Sequence, residues 1–152
     1  MRIRIETAEH DEEEIVIKCH EYNERIRSLA SSLENALRSQ DELTLYAEDA
    51  EYYIPKHEIL FFETFDAKVF AHTKGGVYVT RYKLFELERV MPSYFVRISK
   101  STIANIKEII SLRRELTGNG EIAFRECDKK VFFSRGYYAH LRTKIEEVRF
   151  LK

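Results

Sequence analysis

The chain has 152 residues, of which 44% are hydrophobic and 12% aromatic, which is typical of one folded domain, alone or with an appendage, and not of a disordered chain. Two cysteines are too few for a disulfide framework or a zinc site, and no apolar run approaches the ~18 residues of a membrane span. The net charge of -1 does not by itself indicate a nucleic-acid partner. The N-terminus does not resemble a signal peptide, so a cytoplasmic protein is expected.

The first 40 residues are predicted to form a strand-helix extension. Ile3 and Ile5 alternate with arginines, and residues 15–19 (I-V-I-K-C) indicate a second strand that could pair with the first as a hairpin. Residues 23–37 then follow a helical period. Their apolar stripe consists of Ile26, Leu29, Leu33 and Leu37. This stripe either packs onto the rest of the protein or serves as a dimer or partner surface.

Beyond a linker predicted at residues 39–42, short strands follow one another closely, which indicates a mainly antiparallel β domain. Strands are predicted at residues 43–47, 51–55, 59–65, 68–73, 77–81, 94–98, 109–116, 121–126 and 130–134. Glycine-containing turns at residues 74–76 and 117–120 indicate hairpins. Residues 83–91 are predicted as a short helix stopped by Pro92. A closing helix carries Tyr138, Leu141, Ile145 and Val148.

The sequence contains no constellation typical of an enzyme. Residues 19–21 (C-H-E) have no second ligand pair at metal spacing, and the pair at residues 57–58 lacks the second His of a zincin motif. The glycine pairs are hairpin turns and not phosphate loops, because no helix start follows them. We therefore expect no catalytic residue, no metal, no cofactor and no small-molecule substrate.

Residues 94–109 read Y-F-V-R-I-S-K-S-T-I-A-N-I-K-E-I, which indicates a strand followed by a polar segment. Either Ser99 or Ser101 could cap a short helix with isoleucines 103, 106 and 109 on one face. Free N–H groups, hydroxyls and a cation at one spot suit a phosphate oxygen. A capped turn with a solvated Lys100 explains the same pattern equally well.

Basic residues are concentrated after this point in the chain. Residues 95–152 contain 13 Lys/Arg against 7 Asp/Glu, a net charge of +6, whereas residues 1–94 carry -7. Such asymmetry suits a directional contact with a nucleic acid, although solvated helices carry charge too. Arginine is suited to bidentate contact with guanine or with phosphate.

The run F-V-R-I-S-K-S-T-I-A-N-I-K-E-I resembles the signature of the LytTR family of bacterial DNA-binding domains, F-x-R-x-H-R/K-S-x-I/V-x-N. The pair Ser134-Arg135 matches the downstream S-R that opens a C-terminal helix in that family, and the likeness covers about residues 43–150. The resemblance implies an elongated stack of antiparallel β-sheets that reads DNA with loops in successive major grooves. It also implies binding to direct repeats about one helical turn, ~10 bp, apart.

The resemblance implies functional residues one by one. The residues that match contacting stretches of the family are Arg97, Ser99, Lys100, Ser101, Ser134, Arg135 and Gly136. Many members have His where this chain has Ser99. Asn105 matches the signature Asn and is expected to be structural, bonding to local backbone. A third contact is implied at residues 66–68, where members often have Asn or His; here Lys68 is the candidate.

Most members of the family carry a receiver domain ahead of the DNA-binding domain, and about 40 residues are too few to form one. Short stand-alone members have a strand-helix extension, and some are held inactive by a membrane protein encoded beside them. The resemblance thus implies a dimerisation or regulatory extension at residues 1–40 and a DNA-binding domain at residues 41–152. The expected protein is a homodimeric transcriptional regulator that binds double-stranded DNA in a sequence-specific way. The alternative is a non-catalytic protein-interaction module that uses the N-terminal amphipathic helix.

Overall fold

The computed structural model describes residues 2–7 and 14–149. Contacts divide the chain into two compact units, Met1–Arg38 and Ser39–Lys152. The helices are α1 Glu24–Asp41, α2 Leu84–Val90 and α3 Arg135–Arg149, with 3-10 turns at Lys56–Glu58 and Ile106–Glu108. The strands are β1 Glu42–Ala47, β2 Ala50–Pro55, β3 Ile59–Phe65, β4 Lys68–Thr73, β5 Val77–Thr80, β6 Phe95–Ser99, β7 Thr102–Asn105, β8 Ile109–Arg114, β9 Gly120–Phe124 and β10 Val131–Phe133.

The strands form two antiparallel sheets. Seven strands pair in the order β2-β1-β5-β4-β3-β7-β6, and three pair in the order β10-β9-β8. This confirms the prediction of a mainly antiparallel β fold, and each strand predicted between residues 43 and 134 lies within two residues of its expected bounds. Among the described residues, no helix is long and apolar enough to cross a membrane.

Two hydrophobic cores lie against the larger sheet. The first joins β3, β6 and β7 to the smaller sheet and to α3, and its buried side chains include Phe61, Ile98, Phe124, Phe133 and Leu141. The second lies beneath α2 and includes Leu45, Phe62, Leu87, Phe95 and Ile103. Because β6 and β7 contribute to both cores, their hairpin has a buried, rigid base beneath its turn.

The two strands predicted in the N-terminal extension are wrong for the residues described. Residues 2–7 and 14–19 have no strand, and Ile3 is 93% exposed. An alternating pattern holds a strand only when its apolar face is buried against another layer. Met1 and residues 8–13 of the predicted hairpin lie outside the described residues. The predicted helix is confirmed as α1, in which Ile26 is buried.

Two further local predictions are wrong. Residues 39–42 are not a linker, because α1 continues to Asp41 and β1 begins at Glu42. The predicted helix after Ser101 is instead β7 followed by the 3-10 turn Ile106–Glu108. Its three isoleucines are all buried, as a helical face would require, but β-branched residues pack equally well in strands.

Candidate nucleic-acid interface

Antiparallel pairing brings four segments to one end of the unit Ser39–Lys152. This tip end consists of the β3–β4 turn (residues 66–67), the β6–β7 turn (100–101), the β8–β9 turn (115–119) and the start of α3 (134–135). The opposite end consists of the β4–β5 turn (74–76), the 3-10 turn Ile106–Glu108, the β9–β10 loop (125–130) and the end of α3.

Backbone and side-chain hydrogen bonds connect the segments of the tip end. The Thr64 N–H donates to the Ser101 carbonyl over 2.8 Å, which joins β3 to the β6–β7 turn. The Ser134 N–H donates to the Ile98 carbonyl over 2.9 Å, which joins the start of α3 to β6. The structure therefore brings all three sequence-predicted contact stretches to the same end of the fold.

The β6–β7 turn displays two hydroxyls and an amine. The Ser101 N–H lies 3.3 Å from the Ser99 Oγ, and the two serine hydroxyl oxygens are 3.4 Å apart. Lys100 is exposed at the tip of the turn, and no ion pair of its amine occurs in the part of the chain that the structure describes. The turn thus presents a free cation beside two donors that can reorient.

Arg97 lies behind this turn and is already engaged. Its Nε donates to the Ser99 carbonyl over 2.8 Å, and its Nη2 donates to the Lys100 carbonyl. Its Nη1 lies 3.4 Å from the Glu88 carboxylate of α2, and only 22% of the Arg97 side chain is exposed. The guanidinium therefore has three partners within the protein.

Arg135 is held differently. Its backbone N–H donates to the Asn119 side-chain oxygen over 2.8 Å. A Cβ added to Gly118 would lie 2.6 Å from Arg135 Cδ, so the aliphatic part of the arginine lies directly over that glycine. Within residues 14–149 the guanidinium has no hydrogen bond or ion pair, and Ser134 and Gly136 beside it are exposed. Sequence reasoning read Gly118 and Asn119 only as a hairpin turn and missed this support of Arg135.

The β3–β4 turn is formed by two residues with positive φ, 51° at Asp66 and 61° at Ala67, the pattern of a two-residue hairpin turn. Lys68 is exposed and has no ion pair among the described residues. Phe65, which faces Lys68 across the hairpin, is 71% exposed. This turn thus combines a cation, an acid and an apolar ring.

Asn105 lies away from the tip end, at the base of the β6–β7 hairpin. Its Nδ2 donates to the Ile59 carbonyl over 2.9 Å, and its Oδ1 accepts from the Lys107 N–H over 3.1 Å. The side chain is buried. Both bonds go to backbone, which fastens β7 to the start of β3 and shapes the 3-10 turn that follows.

Most cations of the opposite end have partners in the protein. Lys74 lies 3.3 Å from the Glu108 carboxylate, and Lys129 pairs with Glu63. Arg149, at the end of α3, donates to the Ile106 carbonyl over 3.1 Å. Arg125 is exposed and is the exception, since no side-chain partner occurs for it among the described residues.

Glu63 also binds His72, whose Nε2 lies 2.8 Å from the Glu63 Oε1. The imidazole stacks on Phe61 with ring centroids 4.2 Å apart. Burial lowers the pKa of His72, with Lys129 acting in the same direction and Glu63 opposing it. No group of three or more His, Cys, Asp or Glu side chains suited to a metal ion occurs among residues 2–7 and 14–149.

Three comparisons with known proteins all find similarity to DNA-binding domains or transcriptional regulators. A family model described as "LytTr DNA-binding domain" matches residues 49–146. Uncharacterized HTH-type transcriptional regulators of Staphylococcus aureus strains MW2 and COL are each 29% identical over 138 residues, which covers 91% of this chain and 92% of theirs. A solved LytTr DNA-binding domain of a putative methyl-accepting/DNA response regulator from Bacillus cereus has a TM-score of 0.65 at 21% identity. It covers 69% of this chain and 96% of that one, and it supports the fold.

Proposed function

Because the chain belongs to the LytTr DNA-binding domain family, we propose that it is a sequence-specific transcriptional regulator that binds double-stranded DNA through its tip end. The observation that carries this proposal is the gathering of unpaired cations there. Lys68, Lys100 and Arg135 come from separate segments and meet at one end of the unit without ion pairs among the described residues. The relatives in Staphylococcus aureus are named transcriptional regulators, which supports the same function.

The proposed interface divides into positioning and reading contacts. Its contacting residues are Ser99, Lys100, Ser101, Ser134, Arg135 and Lys68, and Arg97 lies behind the β6–β7 turn that carries Lys100 and Ser101. Lysine amines and serine hydroxyls suit phosphate oxygens, which fix the register of a protein on the duplex without reading sequence. The free fork of Arg135 suits the O6 and N7 atoms of a guanine in the major groove. Ser99, where many members of the family have His, would donate only a hydroxyl to a base or phosphate.

Reading by turns is favoured over reading by an inserted helix. The relatives are named HTH-type, but in the described part of this chain strands separate each helix from the next. A helix-turn-helix motif instead joins two helices through a turn of three or four residues. Two protomers whose tip ends read direct repeats about 10 bp apart would lie on the same side of the duplex. A homodimer on DNA is therefore part of the proposal.

The test is a fluorescence-anisotropy titration of the full chain on promoter DNA from its own operon, against shuffled DNA, at several salt concentrations. The variant Lys100→Ala/Arg135→Ala should bind at least about tenfold more weakly, and its salt slope should fall by about one for each lost phosphate contact. The matched control is Arg125→Ala/Lys130→Ala, which removes the same charge from the β9–β10 loop. Equal losses in both variants, or wild-type binding no tighter than to shuffled DNA, would contradict the proposal.

The N-terminal unit suggests a second role in a different functional class. Leu37 on the apolar stripe of α1 is exposed, and Leu29 and Leu33 are only partly buried. The stripe could thus mediate dimerisation, or contact with a partner such as a restraining membrane protein. The variant Leu33→Asp/Leu37→Asp should weaken self-association in sedimentation velocity and leave binding to one half-site unchanged. Unchanged self-association would show that the stripe does not mediate dimerisation and would favour contact with a partner protein.

A further inference from the structure

We propose that Arg97 and Glu88 are positioning residues that hold the β6–β7 turn in its reading shape, and that Arg97 does not itself contact DNA. This inference rests on the proposed function of the tip end. It differs from the expectation for Arg97 that the family signature provides, which counts this arginine among the contacting residues.

The register of the β6–β7 hairpin is irregular next to Arg97. Arg97 pairs with Ile103, but the next pair is Ser99 with Thr102, so the ladder shifts by one residue at the turn. Such an irregularity leaves backbone groups outside the regular ladder. The Arg97 guanidinium supplies donors to two carbonyls in this segment, those of Ser99 and Lys100. One planar fork therefore fixes two successive peptide groups.

An ion pair connects Arg97 to α2. Glu88 carries a carboxylate that is 44% exposed and lies 3.4 Å from Arg97 Nη1. An acidic side chain beside a DNA-reading turn repels phosphates. Its presence there therefore calls for a compensating contribution to binding. By pairing with Arg97, Glu88 orients the third donor group of the guanidinium and connects the turn to α2. The turn is thereby attached to a helix whose Leu84 and Leu87 are buried in the second core.

Arg97 and Arg135 differ in how far their guanidinium groups are engaged within the protein. An arginine poised for DNA keeps its fork free, as Arg135 does, whereas Arg97 is mostly buried and has every nitrogen engaged. Because the side chain is mostly buried, turning the Arg97 guanidinium outward to a phosphate would break its bonds to carbonyls that no other described side chain replaces. The positively charged group that the turn presents to DNA is then Lys100, whose amine has no ion pair with any described residue.

The decisive experiment compares Arg97→Lys, Arg97→Gln and Glu88→Gln in the same titration on promoter DNA. Lysine keeps the charge but cannot form the planar fork, so Arg97→Lys should bind as weakly as Arg97→Gln, each about tenfold below wild type. Both should retain the wild-type salt slope, whereas Lys100→Ala should lower it by about one. Circular dichroism checks that all variants are folded at the assay temperature.

Glu88→Gln distinguishes a positioning role of Glu88 from a simple charge effect, because the two change DNA affinity in opposite directions. Loss of a negative charge near DNA would by itself tighten binding, but loss of a positioning contact should weaken it by about twofold to fivefold. If Glu88 acts through Arg97, the effect should vanish in the Arg97→Gln background. A matched control is Asp49→Asn, an exposed acid in the β1–β2 turn, which should show no such loss.

Three results would overturn the inference: wild-type affinity for Arg97→Lys, a salt slope lowered by about one in Arg97→Gln, or tighter binding by Glu88→Gln. The proposed function could fail separately, if wild type does not prefer promoter DNA. The inference is then decided on free protein by NMR order parameters of the Lys100 and Ser101 amides. Arg97→Gln should lower them from about 0.85 toward 0.6 or less, and unchanged values would show that Arg97 does not hold the turn.

Discussion

The two ends of the unit Ser39–Lys152 use their basic side chains in opposite ways. At the opposite end, Lys74 and Lys129 pair with carboxylates, and Arg149 donates to backbone carbonyls. At the tip end, Lys100 and Arg135 have no ion pair among the described residues. Most cations of the opposite end therefore tie elements of the fold together, whereas those of the tip end remain available to a partner.

This difference shows why net charge alone does not locate an interface. Both ends contribute to the net charge of +6 over residues 95–152. A cation already paired in the protein gains little by meeting a phosphate, because it must give up its first partner. The availability of each cation, and not the count of cations, distinguishes the two ends. Arg97 is intermediate between the two groups: it lies at the tip end, but its guanidinium is bonded within the protein, like most cations of the opposite end.

The largest expected effect is at the base of the β6–β7 hairpin. Asn105→Ala removes two hydrogen bonds of a side chain that is 1% exposed and leaves the Ile59 carbonyl without this donor. The free energy of unfolding should fall by about 2–4 kcal/mol. Denaturant unfolding followed by circular dichroism measures it.

The same variant sharpens the comparison between the ends. Because Asn105 lies at the base of the β6–β7 hairpin and away from the tip end, DNA affinity per folded molecule should stay at the wild-type value. Asn105→Ser, which keeps a smaller polar group, serves as the control and should lose less stability. A large loss of DNA affinity at a temperature where the variant is fully folded would contradict the division between the two ends.

The next effect concerns the support of Arg135. Gly118 has φ +91°, where a side chain is strained, and a Cβ there would overlap the Arg135 side chain. Gly118→Ala should reduce stability by about 1–2 kcal/mol and displace the arginine from its position. DNA affinity should fall by about as much as in Arg135→Ala, and combining the two should add little.

Gly136→Ala is the matched control for this prediction. A Cβ at Gly136 meets nothing within 4 Å, and the residue is helical, so stability should not fall. If Gly118→Ala lost stability but bound DNA as wild type does, Arg135 would not depend on the β8–β9 turn, and that turn would be only structural.

The sequence predicts those elements of the fold that depend on patterns within a short stretch of chain, and fails where packing against distant residues decides. The closing helix and every strand from β1 to β10 except β7 follow periodicity and turn residues, and the motif around Arg97 and Arg135 locates the candidate site. The prediction of N-terminal strands failed because the apolar side chains of these segments are exposed in the described residues, Ile3 by 93% and Ile15 by 60%. The helix after Ser101 failed because three spaced isoleucines fit a helix face as well as a hairpin between two cores.

The roles within the site could not be predicted in the same way. Arg97 and Arg135 look alike in sequence. They are distinguished by the bonds of Arg97 to two carbonyls of its own turn and by its ion pair with Glu88, nine positions earlier and on a helix. The support of Arg135 by Gly118 and Asn119 likewise depends on a contact between segments 16 or more positions apart. Such contacts follow from the tertiary fold and leave no spacing rule in the sequence.

A smaller effect is expected at the β3–β4 turn. Ala67 has φ 61°, a conformation that costs an L-residue about 1 kcal/mol and that glycine adopts freely. Ala67→Gly should therefore raise the free energy of unfolding by up to about 1 kcal/mol, measured by denaturant unfolding. If the Ala67 methyl group does not meet a base, DNA affinity stays the same. Weaker binding on thymine-containing sites alone would instead make that methyl a reading group.

The smallest effect is the pH dependence contributed by His72 at the opposite end. Burial keeps the pKa of His72 below the ordinary value of 6.5, so as the pH falls through 6.5 the unfolded chain takes up a proton that the folded protein does not. Stability should therefore fall with pH from about 6.5 down to the folded-state pKa, below which His72 adds no further change. Denaturant unfolding between about pH 7.5 and pH 5.5 should give a shallower dependence for His72→Gln than for wild type.

Lys129→Ala provides the internal control for His72. Lys129 helps to lower the pKa of His72, so its removal should shift that pKa toward the ordinary value and reduce the pH dependence without abolishing it. An equal slope in wild type and His72→Gln would assign the pH dependence to other groups. Because Lys129 is paired with Glu63 and lies at the opposite end, its loss should leave DNA affinity per folded molecule unchanged, although it removes a positive charge. That result would show that a paired cation of the opposite end does not contribute to binding.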